Sequence, residues 1–160
     1  MKVLFLYKGK DAAGGNRVVV TQGKTLEAKG VSIEYLPLCG SGPWAYLKAL
    51  SAIRSRLKQD GADLIHAHYG FSGIAGLLAG GRRPLIVSFM GSDLLGSHAP
   101  DGKIRIPGRL MISLHKFLAR YFYSLTIVKS AEMEGKLLRN SRHAVRPNPV
   151  NLALSKPREQ

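Results

Sequence analysis

The sequence predicts an α/β fold in which a parallel sheet carries helices on both faces. Short apolar or β-branched runs recur along the chain, at residues 2–7, 31–36, 64–68, 85–89, 125–128 and 144–146. Between them lie segments whose apolar residues return at steps of three or four, the period of a helix. Glycine-rich turns such as Gly40-Ser41-Gly42-Pro43 separate the two patterns. Strands that alternate with helices in this way pair in parallel through right-handed crossovers. With 160 residues and 45% hydrophobic content, the chain is sized for one well-packed core.

The first run, KVLFLY, leads into a loop holding Gly9, Gly14 and Gly15, and residues 16–29 then show helical spacing through Val19 and Leu26 up to Gly30. Residues 31–36 are β-branched and aromatic, which suits a pleated strand. Trp44, Leu47, Leu50, Ile53 and Leu57 mark a second helix closing near Gly61. LIHAH, residues 64–68, is a third strand, 71–79 a helix of small residues, and 85–89 a fourth strand. The connection over residues 90–107 exceeds the usual strand-to-helix length, which marks it as functional. A helix over 110–123, a strand over 125–128, a helix over 131–138 and a short strand over 144–146 complete the alternation. Residues 1–151 form the expected domain, and 152–160 read as a linker or tail.

Composition narrows the function. The longest uncharged apolar stretch, residues 70–81, is glycine-interrupted and too short for the roughly 20 residues of a spanning helix. The N-terminal apolar run stops at Lys8, so it reads as a strand rather than a signal peptide, and the expected location is cytoplasmic. A single cysteine, Cys39, excludes an internal disulfide and a multi-cysteine zinc site. The net charge of +14 favours anionic partners. Its distribution is uneven: residues 102–131 hold no acid, yet contain Lys103, Arg105, Arg109, Lys116, Arg120 and Lys129. On the helix over 110–123, Leu110, Leu114, Phe117, Leu118 and Tyr121 form one apolar stripe. Two readings are open: a core-packed stripe with a solvated basic face, or a basic face resting with the preceding loop on anionic lipid.

In a parallel sheet, ligands bind beyond the carboxyl ends of the strands, so the loops after residues 7, 68 and 89 carry the candidates. The first loop does not fit G-x-G-x-x-G, and the second strand ends in Leu36-Pro37-Leu38 with no acid for a ribose, which argues against NAD. Gly23-Lys24-Thr25 imitates the end of a phosphate loop but lies inside a helix. Gly14-Gly15-Asn16 at a helix start suits an anion or a sugar hydroxyl, or is a plain cap. His66 and His68 share a strand face, with His68 at the carboxyl end; as a metal pair they lack a third ligand. Gly70 and Ser72 open the next helix, and Gly91 and Asp93 close the fourth strand, where a carboxylate binds hydroxyls or caps a turn. No Ser-His-Asp order or nucleophile elbow is present.

Taken in order, Gly14-Gly15 before a helix ending in LEAKG, then ADLIHAHYGFSG, RPLIVSFMGSDLLG, LTIVKSAEM and VRPNPVN resemble the N-terminal domain of GT-B retaining glycosyltransferases of family four. The resemblance runs from Lys2 to about Asn151. It implies a Rossmann-like domain forming the acceptor side of a cleft, with a second, donor-binding domain lying outside these residues, in cis or in trans. It also implies a nucleotide sugar as substrate, a glycan or lipid-linked glycan acceptor, and no metal or tightly bound cofactor. Gly14 and Gly15 would lie against the donor phosphates or acceptor, and Ser130 and Asn148 belong to structural or cleft-lining patterns. Family members carry a histidine where this sequence has Met90. The chain alone is expected to be inactive, with Asp93 and His68 acting on ligand affinity rather than stability. Peripheral attachment to an anionic membrane surface is a further expectation. From another class comes a basic flavodoxin-like module for a nucleotide or nucleic acid, although no aromatic-interleaved basic strand supports it. A partner-dependent regulatory half is the third reading.

Overall fold

The computed structural model describes residues 1–9, 16–40, 42–97 and 104–149. The strands are β1 (Lys2–Lys8), β2 (Ser32–Leu38), β3 (Leu64–His68), β4 (Leu85–Ser88), β5 (Leu125–Val128) and β6 (His143–Val145). The helices are α1 (Arg17–Glu27), α2 (Gly42–Asp60), α3 (Gly70–Ala79), α4 (Ser92–Leu95), α5 (Ile106–Tyr121) and α6 (Ala131–Glu134). All strands pair in parallel, in one six-stranded sheet of order β2-β1-β3-β4-β5-β6. The fold class is therefore the expected one.

β1 is apolar from Val3 to Tyr7 because neighbours flank it on both edges and helices cover both faces, the condition under which a strand needs no polar alternation. Leu4 and Leu6 join the larger core with residues of α2, α3, α5 and α6, whereas Val3, Phe5 and Tyr7 face the smaller cluster around Val19 of α1. His66 and His68 have the parity of Leu64, which packs on that second cluster, while Ile65 and Ala67 face the first. α3 is built of small residues because it lies close on the sheet: a Cβ on its Gly73 would sit within 3.0 Å of Val87 and Tyr123 side chains.

Three features depart from the expected boundaries by more than a residue or two. The 90–107 connection contains α4, a single turn. α5 begins at Ile106, since Pro107 sits in its first turn, where a missing N–H costs nothing. α6 ends at Glu134 rather than near 138, with Gly135 as its C-cap.

The larger correction concerns α5. Of the apolar stripe expected from the wheel, only Leu118 is buried; Leu110, Leu114, Phe117 and Tyr121 are exposed. The helix instead packs through His115, Leu118 and Ala119, a face rotated away from the stripe. Periodicity identified an apolar face correctly and gave no means of telling which side of a two-faced helix meets the core.

Candidate functional site

The chain leaves β1 for β2 on one side and returns to β3 on the other, so the strand order reverses between β1 and β3. The crevice outside the carboxyl ends at such a reversal is where open parallel sheets bind ligands. β3 delivers its histidines there. Their rings stack with centroids 4.3 Å apart, and Phe5 of β1 lies 5.0 Å from His66 and 4.7 Å from His68. His66 Nε2 is 2.8 Å from Ser88 Oγ on β4. Burial pushes the His66 pKa down to about 3, with Lys129 adding to the effect. Burial likewise holds His68 well below the ordinary histidine range, reinforced by His66 and Lys129. Both rings are therefore neutral at physiological pH. His66 has its partner, but neither ring nitrogen of His68 hydrogen-bonds to any described residue, although the residue is only 1% exposed.

The segment that follows is strained. Tyr69 has φ +92°, a region that a side chain rarely adopts and that costs about 1–3 kcal/mol. Its N–H donates to the Ser88 carbonyl at 2.8 Å, which holds it in place. The Tyr69 ring lies 5.8 Å from Phe71, which stacks on Tyr46 at 5.4 Å.

Asp93 ties this segment to the loop after β4. Its carboxylate accepts from the backbone N–H groups of Gly70 at 3.0 Å, Met90 at 3.0 and 3.1 Å and Gly91 at 3.0 Å. Burial pushes its pKa up, opposed by those N–H groups and by His115. Gly91 can turn back toward Asp93 because its φ of +127° is open to glycine. The Asp93 carbonyl lies 2.7 Å from His115 Nδ1. A carbonyl only accepts, so Nδ1 carries a proton, and Nε2 has no hydrogen-bond partner among the described residues. A Cβ at Gly70 would fall 2.5 Å from the His115 ring, so glycine is what lets α5 and the start of α3 meet.

Beside this junction lies a cleft of about 310 Å³ lined by, among others, Tyr69, Phe71, Ser92, Asp93, Arg105 and His115. It combines aromatic surface, hydrogen-bonding groups and a guanidinium, the mixture that holds a small polar ligand by its faces and its hydroxyl or anionic groups. Lys129 stands nearby, its ammonium pulled down by burial and back up by Asp93.

The other sequence candidates distribute as follows. Asn16 caps α1, accepting from Val19 N–H at 3.4 Å, and Ser130 caps α6, accepting from Met133 N–H at 3.3 Å. Ser72 is fully buried in the first turn of α3, and its hydroxyl has no partner among the described residues. Asn148 is exposed beyond β6, and Arg109, Lys116 and Arg120 lie on α5. Gly14, Gly15 and Lys103 fall outside the described residues. Among the described residues, no group of three or more His, Cys, Asp and Glu is arranged to hold a metal ion.

The sequence reading placed neither His115 nor Tyr69 at the site. It held Arg105 for a lipid surface, whereas the fold also puts this residue at the cleft. The helical phase of His115 with Leu118 and Ala119 was legible; its contact with Asp93, 22 positions away, was not.

The fold is shared with longer enzymes. Over 98% of this chain and 50% of that one, it superposes on sucrose-phosphate synthase from Thermosynechococcus elongatus with a TM-score of 0.72 at 16% identity. Over 94% of this chain and 47% of that one, it superposes on MurG from Acinetobacter baumannii with a TM-score of 0.53 at 13% identity. The chain thus spans about half the length of these structures. No curated protein matches the sequence. The model of the glycosyl transferase 4-like domain matches residues 5–150, nearly the whole chain, and with the GT-B half-fold described above this protein belongs to that family.

Proposed function

We propose that this domain is the acceptor side of a retaining glycosyltransferase that moves a sugar from a nucleotide-sugar donor onto a glycan or lipid-linked glycan. The observation that carries the reading is the convergence of Tyr69, Asp93, Arg105 and His115 on one cleft at the carboxyl edge of the sheet. In this reading Tyr69 and Phe71 lie against a sugar face, His115 Nε2 accepts from an acceptor hydroxyl, and Arg105 meets an anionic group of the acceptor. His68, neutral and with unspent donor and acceptor capacity at the sheet reversal, contacts the transferred sugar or the donor phosphates. Asn16, the N-cap of α1, follows β1 on the same carboxyl side of the sheet.

Catalysis would then be positioning together with charge stabilisation of the leaving diphosphate, shared with a donor-binding domain in cis or in trans. The nucleotide sugar is a substrate, and the reading needs no other cofactor. Polysaccharide synthesis at the inner face of the cytoplasmic membrane suits the excess of basic residues; no described helix is long and apolar enough to cross a membrane.

The test is a transfer assay with a panel of nucleotide sugars, run on the chain alone and together with the donor-binding domain encoded beside or beyond it. Transfer is expected only when both halves are present, and His68→Ala is expected to reduce it with the fold retained. Turnover by the chain alone, or no transfer by two folded halves with any donor in the panel, would overturn the proposal.

A further inference from the structure

α5 has a face that neither the core nor the cleft uses. Ile106 is 73% exposed, Leu110 66%, Leu114 40%, Phe117 48% and Tyr121 62%. At about 3.6 residues per turn these five residues cover one continuous arc of about 80° along the whole helix. Arg105, Arg109, Lys116 and Arg120 fill the adjoining arc of about 60°, and the third side carries the packing residues His115, Leu118 and Ala119. Phe117, Tyr121 and Phe122 cluster at the carboxyl end, with ring centroids 4.9 and 5.8 Å from Phe117, and the Arg120 guanidinium lies 5.1 Å from the Tyr121 ring. An apolar strip of this length is unusual on a water-facing surface.

The charge beside the strip selects its occupant. The sequence has no acid from residue 102 to 131, so the basic arc has no counter-charge on its own segment. An apolar arc with aromatic residues at one end, bordered by a purely basic arc, is the distribution of a helix that lies in the plane of an anionic bilayer. We infer that α5 docks this domain on anionic lipid, with Leu110, Leu114, Phe117 and Tyr121 inserted at the headgroup boundary and the basic arc on the headgroups. The sequence reading had the basic face and the preceding loop rest on lipid. Here the apolar stripe is the main contact, so attachment keeps a component that salt does not remove.

The geometry also places the cleft. Its α5 residues, His115 among them, point to the side of the helix opposite the stripe, about one helix diameter of 10–12 Å above the lipid. Arg105 belongs both to the cleft lining and to the end of the basic arc, so a lipid-borne phosphate reaches the cleft past that residue. This last step rests on the acceptor reading above; docking on the bilayer does not.

The experiment is co-sedimentation of the 160-residue chain with vesicles of phosphatidylcholine alone and of phosphatidylcholine with phosphatidylglycerol, at low and high salt. Binding is expected to the anionic vesicles and to weaken at high salt without vanishing. Leu110→Glu with Phe117→Glu should reduce it at least tenfold, with melting temperature unchanged because both side chains are exposed. Arg109→Gln with Lys116→Gln should reduce low-salt binding about 25-fold, near fivefold for each removed charge. Absence of binding to anionic vesicles, or binding unaffected by the first pair, overturns the inference. So does a concentration-dependent dimer in analytical ultracentrifugation that the first pair dissolves while vesicles bind nothing. Vesicle binding does not depend on catalysis, so a failed transfer assay and a failed docking surface remain separable.

Discussion

Asp93 and Tyr69 show how one position can shape the fold while lining the cleft. The Asp93 carboxylate gathers N–H groups from both Gly70 at the start of α3 and the β4–α4 turn, so Asp93→Ala leaves buried donors without an acceptor. The expected loss is about 2–3 kcal/mol, read from denaturant unfolding. The sequence alone suggested an effect on affinity rather than stability; the geometry gives this carboxylate a share in stability as well as a place at the cleft. At Tyr69 the backbone conformation is one that glycine adopts freely. Tyr69→Gly should therefore be more stable than Tyr69→Ala by about 1 kcal/mol, although glycine removes more surface, and both should lose cleft binding equally. If Ala proves the more stable of the two, Tyr69 is not strained.

The junction of α3 with α5 is where the elements make the site. Gly70 lets the His115 ring reach the start of α3, and the Asp93 carbonyl sets its tautomer. Gly70→Ala forces either the ring or the helix to move, at a cost of about 1–3 kcal/mol for overpacking. Its diagnostic effect should be on the cleft: acceptor affinity falls more than stability does, because α5 carries His115 and Arg105 away together. Combining Gly70→Ala with His115→Ala should restore stability while leaving the cleft impaired, a pairing readable by thermal melting beside a binding assay.

At the scale of the whole molecule, the two buried histidines make stability depend on pH. Each has a folded pKa below its unfolded value near 6.5, so below that pH the unfolded chain takes up protons that the folded chain refuses. Stability should hold above pH 6.5 and fall as pH drops from 6.5 toward 4, by up to about 1.4 kcal/mol per pH unit for each histidine. Asp93, with its folded pKa raised, acts in the opposite sense above its unfolded value of 3.8, so the comparison must be between variants. Replacing His68 by Phe should flatten the pH dependence by one histidine's share. An unchanged slope in equilibrium unfolding at pH 5 to 6.5 would mean that His68 is protonated in the folded state.

The sequence by itself determined the strands and the class of sheet, since buried parallel strands such as VLFLY and LIHAH write their burial directly as apolar runs. It also located Asp93 and His68 at carboxyl ends and His66 on the same strand face as His68, because strand parity and loop position are local properties. Contacts between distant segments were decided only by the tertiary structure. Nothing near His115 indicates that it meets Asp93, and nothing in Tyr69 announces a positive φ. The wheel of α5 found an apolar stripe but not its direction. A helix with two apolar arcs has two admissible rotations, and the choice falls to the shape of the surface it packs on: the arc with small Ala119 and compact His115 fits against α3 and α4, while the bulkier Leu110, Phe117 and Tyr121 are left facing outward.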